Sequence, residues 1–148
     1  MYFPDLSKYE YEQLANQCRV LTVGWLERGR DFPVGQVSQE FVEKLKTLVR
    51  RCRAHQTRGV HSCPFCSDPY RDIRMTDESG KRILLGSAEI WIPTNDETEV
   101  LAAPDLIIHY IEEHRYLPPL KFLSAVEAFS PTSLWDAQAA FERALQPS

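Results

Sequence analysis

Two cysteines held two residues apart around a proline constrain this chain more than any other feature. In His61-Ser62-Cys63-Pro64-Phe65-Cys66 a short turn presents two thiols side by side. Thiolates kept together without a cation are unfavourable, so the pair reads as half of a tetrahedral metal site. His109-Tyr110-Ile111-Glu112-Glu113-His114 offers the other half. Ligands grouped in twos, one pair in a turn and one on a helix, follow the usual pattern of structural zinc. Cys63, Cys66, His109 and His114 are therefore the expected Zn2+ ligands, with His61 as an alternate ligand or a group behind them.

The histidine spacing imposes a condition. Positions five apart on a regular helix differ by about 140° in direction and about 7.5 Å along the axis. Both imidazoles reach one ion when the last turn is loosened, and the stop at Pro118-Pro119 supplies a reason for that. Leu106, Ile107, Tyr110, Ile111 and Leu117 place His114 on the apolar face and His109 toward the polar side. Glu112 and Glu113 read as solvated charges, and His55 as a helix-end residue.

At 148 residues the chain is one domain, 1–148, long enough to bury a core of its own. Metal then organises one region of a fold that has other support. The pattern predicts a short strand made of 20–23 and 25–26 that leads into the turn around Gly29, and a helix over 39–54 with Ser38 as N-cap. Further strands are expected at 82–85, 88–92 and 98–101. Helices should come next over 104–117, from Pro119 through Val126, and over 131–145. In the middle strand, Ala88, Ile90 and Ile92 alternate against Glu89 and Trp91, the pattern of a half-buried strand. Cys52 falls on the apolar face of the first helix and reads as a small buried hydrophobe, as does Cys18. The fold class is α+β: a short antiparallel sheet with about four helices. Knuckle, hairpin and helix succeed one another in the order of the treble-clef group of zinc folds, except that the helix histidines come later than that group places them.

Spacing argues against several enzymes. An inverted metalloprotease motif, H-x-x-E-H, needs one residue fewer than His109 to His114 contains, and the extra residue turns the second imidazole by about 100°. Zinc deaminases need H-x-E and then P-C-x-x-C, neither of which occurs here. Cys63-Pro64-Phe65-Cys66 resembles the active turn of glutaredoxins, but Ser67-Asp68-Pro69-Tyr70-Arg71-Asp72 is a poor helix start and lies outside any βαβ unit. Four protein ligands leave no position for a water, which makes the site structural. The net charge of −4 argues against nucleic acid, although Arg50, Arg51, Arg53 and Arg58 cluster near His55. No window is long and apolar enough to span a bilayer, the opening residues lack a signal-peptide pattern, and a cytoplasmic location is expected.

Several segments together resemble an uncharacterised family of small bacterial proteins. They are Val23-Gly24-Trp25-Leu26 with Arg28-Gly29, Gln56-Thr57-Arg58-Gly59 running into His61-Ser62-Cys63-Pro64-Phe65-Cys66, and Gly86-Ser87-Ala88-Glu89-Ile90. The pattern ends in Ala103-Pro104-Asp105-Leu106-Ile107-Ile108-His109-Tyr110-Ile111 and His114-Arg115-Tyr116-Leu117-Pro118-Pro119. It spans about residues 23–126, and the chain departs from it after Leu120. The resemblance implies a zinc-binding domain of unknown function and carries no activity with it. Some small acidic cytoplasmic proteins of this kind are immunity proteins that neutralise toxins. The resulting expectation is a non-catalytic, zinc-stabilised protein-binding module, in its sharpest form an immunity-type inhibitor of a toxin or effector. A zinc-dependent hydrolase is the first alternative and a nucleic-acid-binding zinc module the second.

Overall fold

The computed structural model describes residues 1–12 and 19–146; Cys18 lies outside the described residues. Strand β1 (Val20–Thr22) is followed by α1 (Gln39–Arg51) and β2 (Arg53–Ala54). Then come β3 (Arg74–Thr76), β4 (Arg82–Leu84), β5 (Glu89–Pro93) and β6 (Val100–Pro104). Helices α2 (Ile107–His114), α3 (Leu120–Ala128) and α4 (Ala137–Leu145) complete the chain. The class is α+β, with four helices among the described residues. The main sheet has the order β1-β6-β5-β2. Its β5–β6 and β2–β5 pairs are antiparallel and β1–β6 is parallel. Strands β3 and β4 form a separate antiparallel hairpin.

Several boundaries differ from the pattern expectations. The first helix stops at Arg51, and residues 53–54, expected to be helical, add a short edge strand to β5. Ser38 caps α1 through its Oγ, which accepts from the Phe41 amide at 3.1 Å. Pro104 ends β6 and does not open a helix; α2 begins three residues later. Residues 131–136 are turn and loop, so the last helix starts only at Ala137, under an Asp136 side-chain cap. The polar stretch 67–81, which lacks an apolar alternation, contains β3. Two hairpins, not one, separate the cysteine turn from α2.

The largest departure concerns β5. Alternation puts Glu89 and Trp91 on a solvated face, yet they are 3% and 0% exposed. The reason is a second cover. Helix α4 packs against β5, Phe141 meets the Trp91 ring at 5.3 Å, and Tyr9 meets it from the N-terminal segment at 5.4 Å. Helices α1 and α3 pack against β5 as well, so the strand has no solvent side. Cys52 is fully buried, as its helical position implies, and burial pushes its thiol up to about 12.

Gly86 ties the cysteine turn to the sheet. Its φ is +110°, and an added Cβ would lie 2.3 Å from the His61 carbonyl oxygen. The His61 amide in turn donates to the Gly86 carbonyl at 2.8 Å. Replacement of Gly86 by alanine is expected to lower stability by about 2–4 kcal/mol, through backbone strain and a clash with main chain. Chemical denaturation of the variant checks this, and a loss within experimental error would show that the loop at His61 yields freely.

Candidate metal centre

The turn at 63–66 and one face of α2 meet. The ligand atoms of Cys63, Cys66, His109 and His114 all lie within 4.8 Å of one another. Cys63 Sγ is 3.4 Å from His114 Nε2, and Cys66 Sγ is 3.3 Å from His109 Nε2 and 3.7 Å from His114 Nε2. A tetrahedral zinc with Zn–S of about 2.3 Å and Zn–N of about 2.0–2.1 Å holds its sulfur and nitrogen ligands about 3.5 Å apart. The three observed separations bracket that value. The donor set therefore fits a divalent ion at its centre in both chemistry and spacing.

The closing turn of α2 explains how residues five apart converge. The Arg115 amide reaches back to the Tyr110 carbonyl, five residues away, and the Tyr116 amide bonds the same oxygen at 3.1 Å. A turn closed over five residues is wider than an α-turn and brings positions i and i+5 toward one face. Arg115, with φ +57°, makes the left-handed exit. The expected loosening is present, with Arg115 as its local agent ahead of the two prolines. Burial runs opposite to the helical-wheel reading: His109 is 5% exposed, whereas His114 is only partly buried.

The surroundings favour a cation held by thiolate and neutral imidazole. Burial pushes the Cys63 thiol up, while the Phe65 and Cys66 amides pull it down; the Phe65 N–H donates to Cys63 Sγ at 3.4 Å. Burial lowers the His109 pKa, which keeps its ring neutral and able to ligate. Phe65 packs edge-on against Tyr110 and tilted against His114 and Phe32, forming an apolar cover. Arg71 donates to Cys66 Sγ at 3.5 Å and to both oxygens of Glu113 at 3.0 Å. Glu113 Oε2 lies 3.8 Å from His109 Nδ1, the ring nitrogen that faces away from the thiols. Glu113 is thus more than a solvated charge. Glu112, by contrast, faces Lys46 at 3.5 Å.

His61 stands outside this cluster. It is exposed, and its Nε2 is 3.1 Å from the Tyr11 hydroxyl on the other side of the cysteine turn. His55 is also more than a helix-end residue. Its Nδ1 is 2.6 Å from Glu89 Oε2, its Nε2 is 3.2 Å from Glu12 Oε1, and its ring stacks on Phe141 at 4.4 Å. Glu89 further accepts from Tyr9 Oη at 3.0 Å on both oxygens and from Trp91 Nε1 at 2.8 Å. Nothing in the local sequence signals this network; Tyr9 and the carboxylate it bonds are 80 residues apart.

A family model described as Domain of unknown function (DUF7919) matches residues 1–127, most of the chain. No curated protein and no solved structure matches it. No described helix is long and apolar enough to cross a membrane.

Proposed function

We propose that this chain, which belongs to the DUF7919 family of unknown function, is a non-catalytic protein-binding module stabilised by one structural zinc. Cys63, Cys66, His109 and His114 are the ligands. The observation that carries the reading is the closed set of four donor atoms within 4.8 Å. Two sulfurs and two imidazole nitrogens in tetrahedral spacing select zinc, and four protein ligands leave no coordination position for a reacting water. His61, turned toward Tyr11, serves neither as a fifth ligand nor as a base beside the ion. The sharper form, an immunity-type inhibitor of a toxin or effector in the cytoplasm, rests on the small acidic chain and its resemblance to small bacterial proteins. A net charge of −4 suits a partner with a basic docking surface, because complementary charge steers encounter.

The test has two arms. Cobalt substitution should give the spectrum of a closed tetrahedral S2N2 site that is unchanged by added anions. Purified holoprotein should form a stoichiometric complex with one of the proteins encoded beside it, and salt should weaken that complex. An exchangeable water on cobalt together with turnover of a hydrolysable substrate would replace this reading with the hydrolase. Salt-sensitive association with oligonucleotides would replace it with the nucleic-acid module.

Glu113 provides a finer check. Replacing it with alanine frees the outer nitrogen of His109 and releases Arg71. Zinc affinity should fall by about 10–100-fold, the usual effect of removing a partner of a ligating histidine. Competition with a chromophoric chelator measures this, and unchanged affinity would show that Glu113 only solvates the helix.

A further inference from the structure

A second site lies on the opposite side of the cysteine turn. A groove enclosing about 240 Å3 is lined by Tyr11 and Trp25, by His55 and Glu89, and by Asp105 beside Gly86. Asp105 decides its chemistry. The residue is 1% exposed, and its Oδ1 accepts from the Gly86 amide at 2.7 Å. Its Oδ2 is buried with no hydrogen-bond partner among the described residues. Buried carboxylate oxygens are almost always paired, because leaving one bare costs the whole of its lost hydration. Burial raises the Asp105 pKa to about 6, against the pull of the Gly86 and Ala88 amides and of the Arg53 charge.

Several other polar groups of the groove are already engaged. Glu89 is occupied on both oxygens by Tyr9, Trp91 and His55, and His55 is shared between Glu89 and Glu12. Arg28 at the rim donates its Nε to the Pro64 carbonyl at 3.0 Å. Glu27 adds a further carboxylate to the lining. Tyr11 and Trp25, 5.0 Å apart, add aromatic rings to the same lining. A carboxylate with one oxygen free, in a groove that also carries aromatic rings, is the arrangement that holds a flat organic cation by charge-assisted N–H donation and cation–π contact.

We propose that this groove binds a small organic cation, an amidinium or guanidinium carried on a flat apolar group, with Asp105 accepting its N–H and Tyr11 and Trp25 covering its body. The site goes beyond the proposed protein-binding role and is separate from the four-residue metal cluster, although Ser62 and Pro64 of the cysteine turn form part of its wall.

The test uses holoprotein and three probes of similar shape and different charge: benzamidine, benzamide and benzoate. Calorimetry should show benzamidine binding at least tenfold more tightly than the other two. Amide resonances of Gly86, Ser87 and Ala88 and the Trp25 indole should move on titration. Asp105→Asn keeps the acceptor used by Gly86 and should bring benzamidine to within about twofold of benzamide. Equal binding of the three probes, resonance changes elsewhere on the molecule, or an unaltered preference in a folded Asp105→Asn would each overturn the proposal. The comparison among probes on the unaltered protein stands even where the variant does not fold. Zinc content is measured on the same sample. Lost probe selectivity at one zinc per chain sinks the groove alone, and retained selectivity without zinc sinks the metal reading alone.

Discussion

Cys63→Ser is expected to yield protein that carries no zinc and unfolds several kcal/mol more easily than the parent. The unaltered chain should purify with about one zinc, given one set of four ligands. Serine cannot supply a thiolate, and the remaining Cys66, His109 and His114 hold the ion far more weakly. Structural zinc contributes on the order of 10 kcal/mol in peptides that have no other source of order. Here Trp91, Tyr116, Phe122 and many aliphatic side chains already form a buried core. The loss should therefore be smaller, about 3–5 kcal/mol, and should fall first on the turn at 61–66 and the end of α2. A chelator added to the parent should reproduce the variant's denaturation midpoint, and acid should release zinc as protons compete for sulfur and imidazole. Zinc retained by the variant, or a parent indifferent to chelator, would mean that the four side chains do not close on an ion.

Glu89→Ala is expected to cost nearly as much by a different route. Its carboxylate receives the buried Tyr9 and Trp91 and the partly buried His55. Truncation leaves those donors facing a cavity without an acceptor, and breaking a buried charged network typically costs about 3–5 kcal/mol. Glu89→Gln keeps the shape and one acceptor and should cost less, about 1–3 kcal/mol. The network also sets a pH dependence. The hydrogen bond to Glu89 raises the His55 pKa above the usual imidazole value, against burial, with Coulombic help from Glu89 and Glu12. A raised histidine stabilises fully below its unfolded pKa and loses that contribution as pH rises through the folded value. The parent should therefore lose stability on the alkaline side of the ordinary histidine range, and Glu89→Gln should flatten that slope. Parallel pH profiles for the two would show that His55 is held by packing on Phe141 alone.

Both predictions concern groups whose visibility in the sequence differs sharply. The four metal-cluster residues are legible because each pair is local: two thiols in one turn and two imidazoles on one helix need only short-range geometry. The ranking within them is less so. Helical periodicity puts His109 on the polar side, but the cysteine turn brings Cys66 against its ring, which is buried. Glu113 reads as solvent-facing for the same reason, since Arg71, 42 residues away, is what pins it.

Element types obey local signals where these are strong, as in the Ser38-capped helix and the strand at 82–84. They fail where a second layer matters. Alternation in β5 implies one wet face, and only the return of α4 and of Tyr9 covers it. A carboxylate at position 89 is then compatible with burial because donors arrive from positions 9, 55 and 91.

The amino-acid order by itself determined that the chain carries a paired thiol turn, a histidine-bearing helix and enough apolar residues for an independent α+β core. Tertiary structure alone decided which charged side chains became buried, because burial depends on what packs across a face, not on the neighbours along the chain. It also brought Asp105, with its unpaired oxygen, into one groove with Tyr11 and Trp25, residues far apart along the chain.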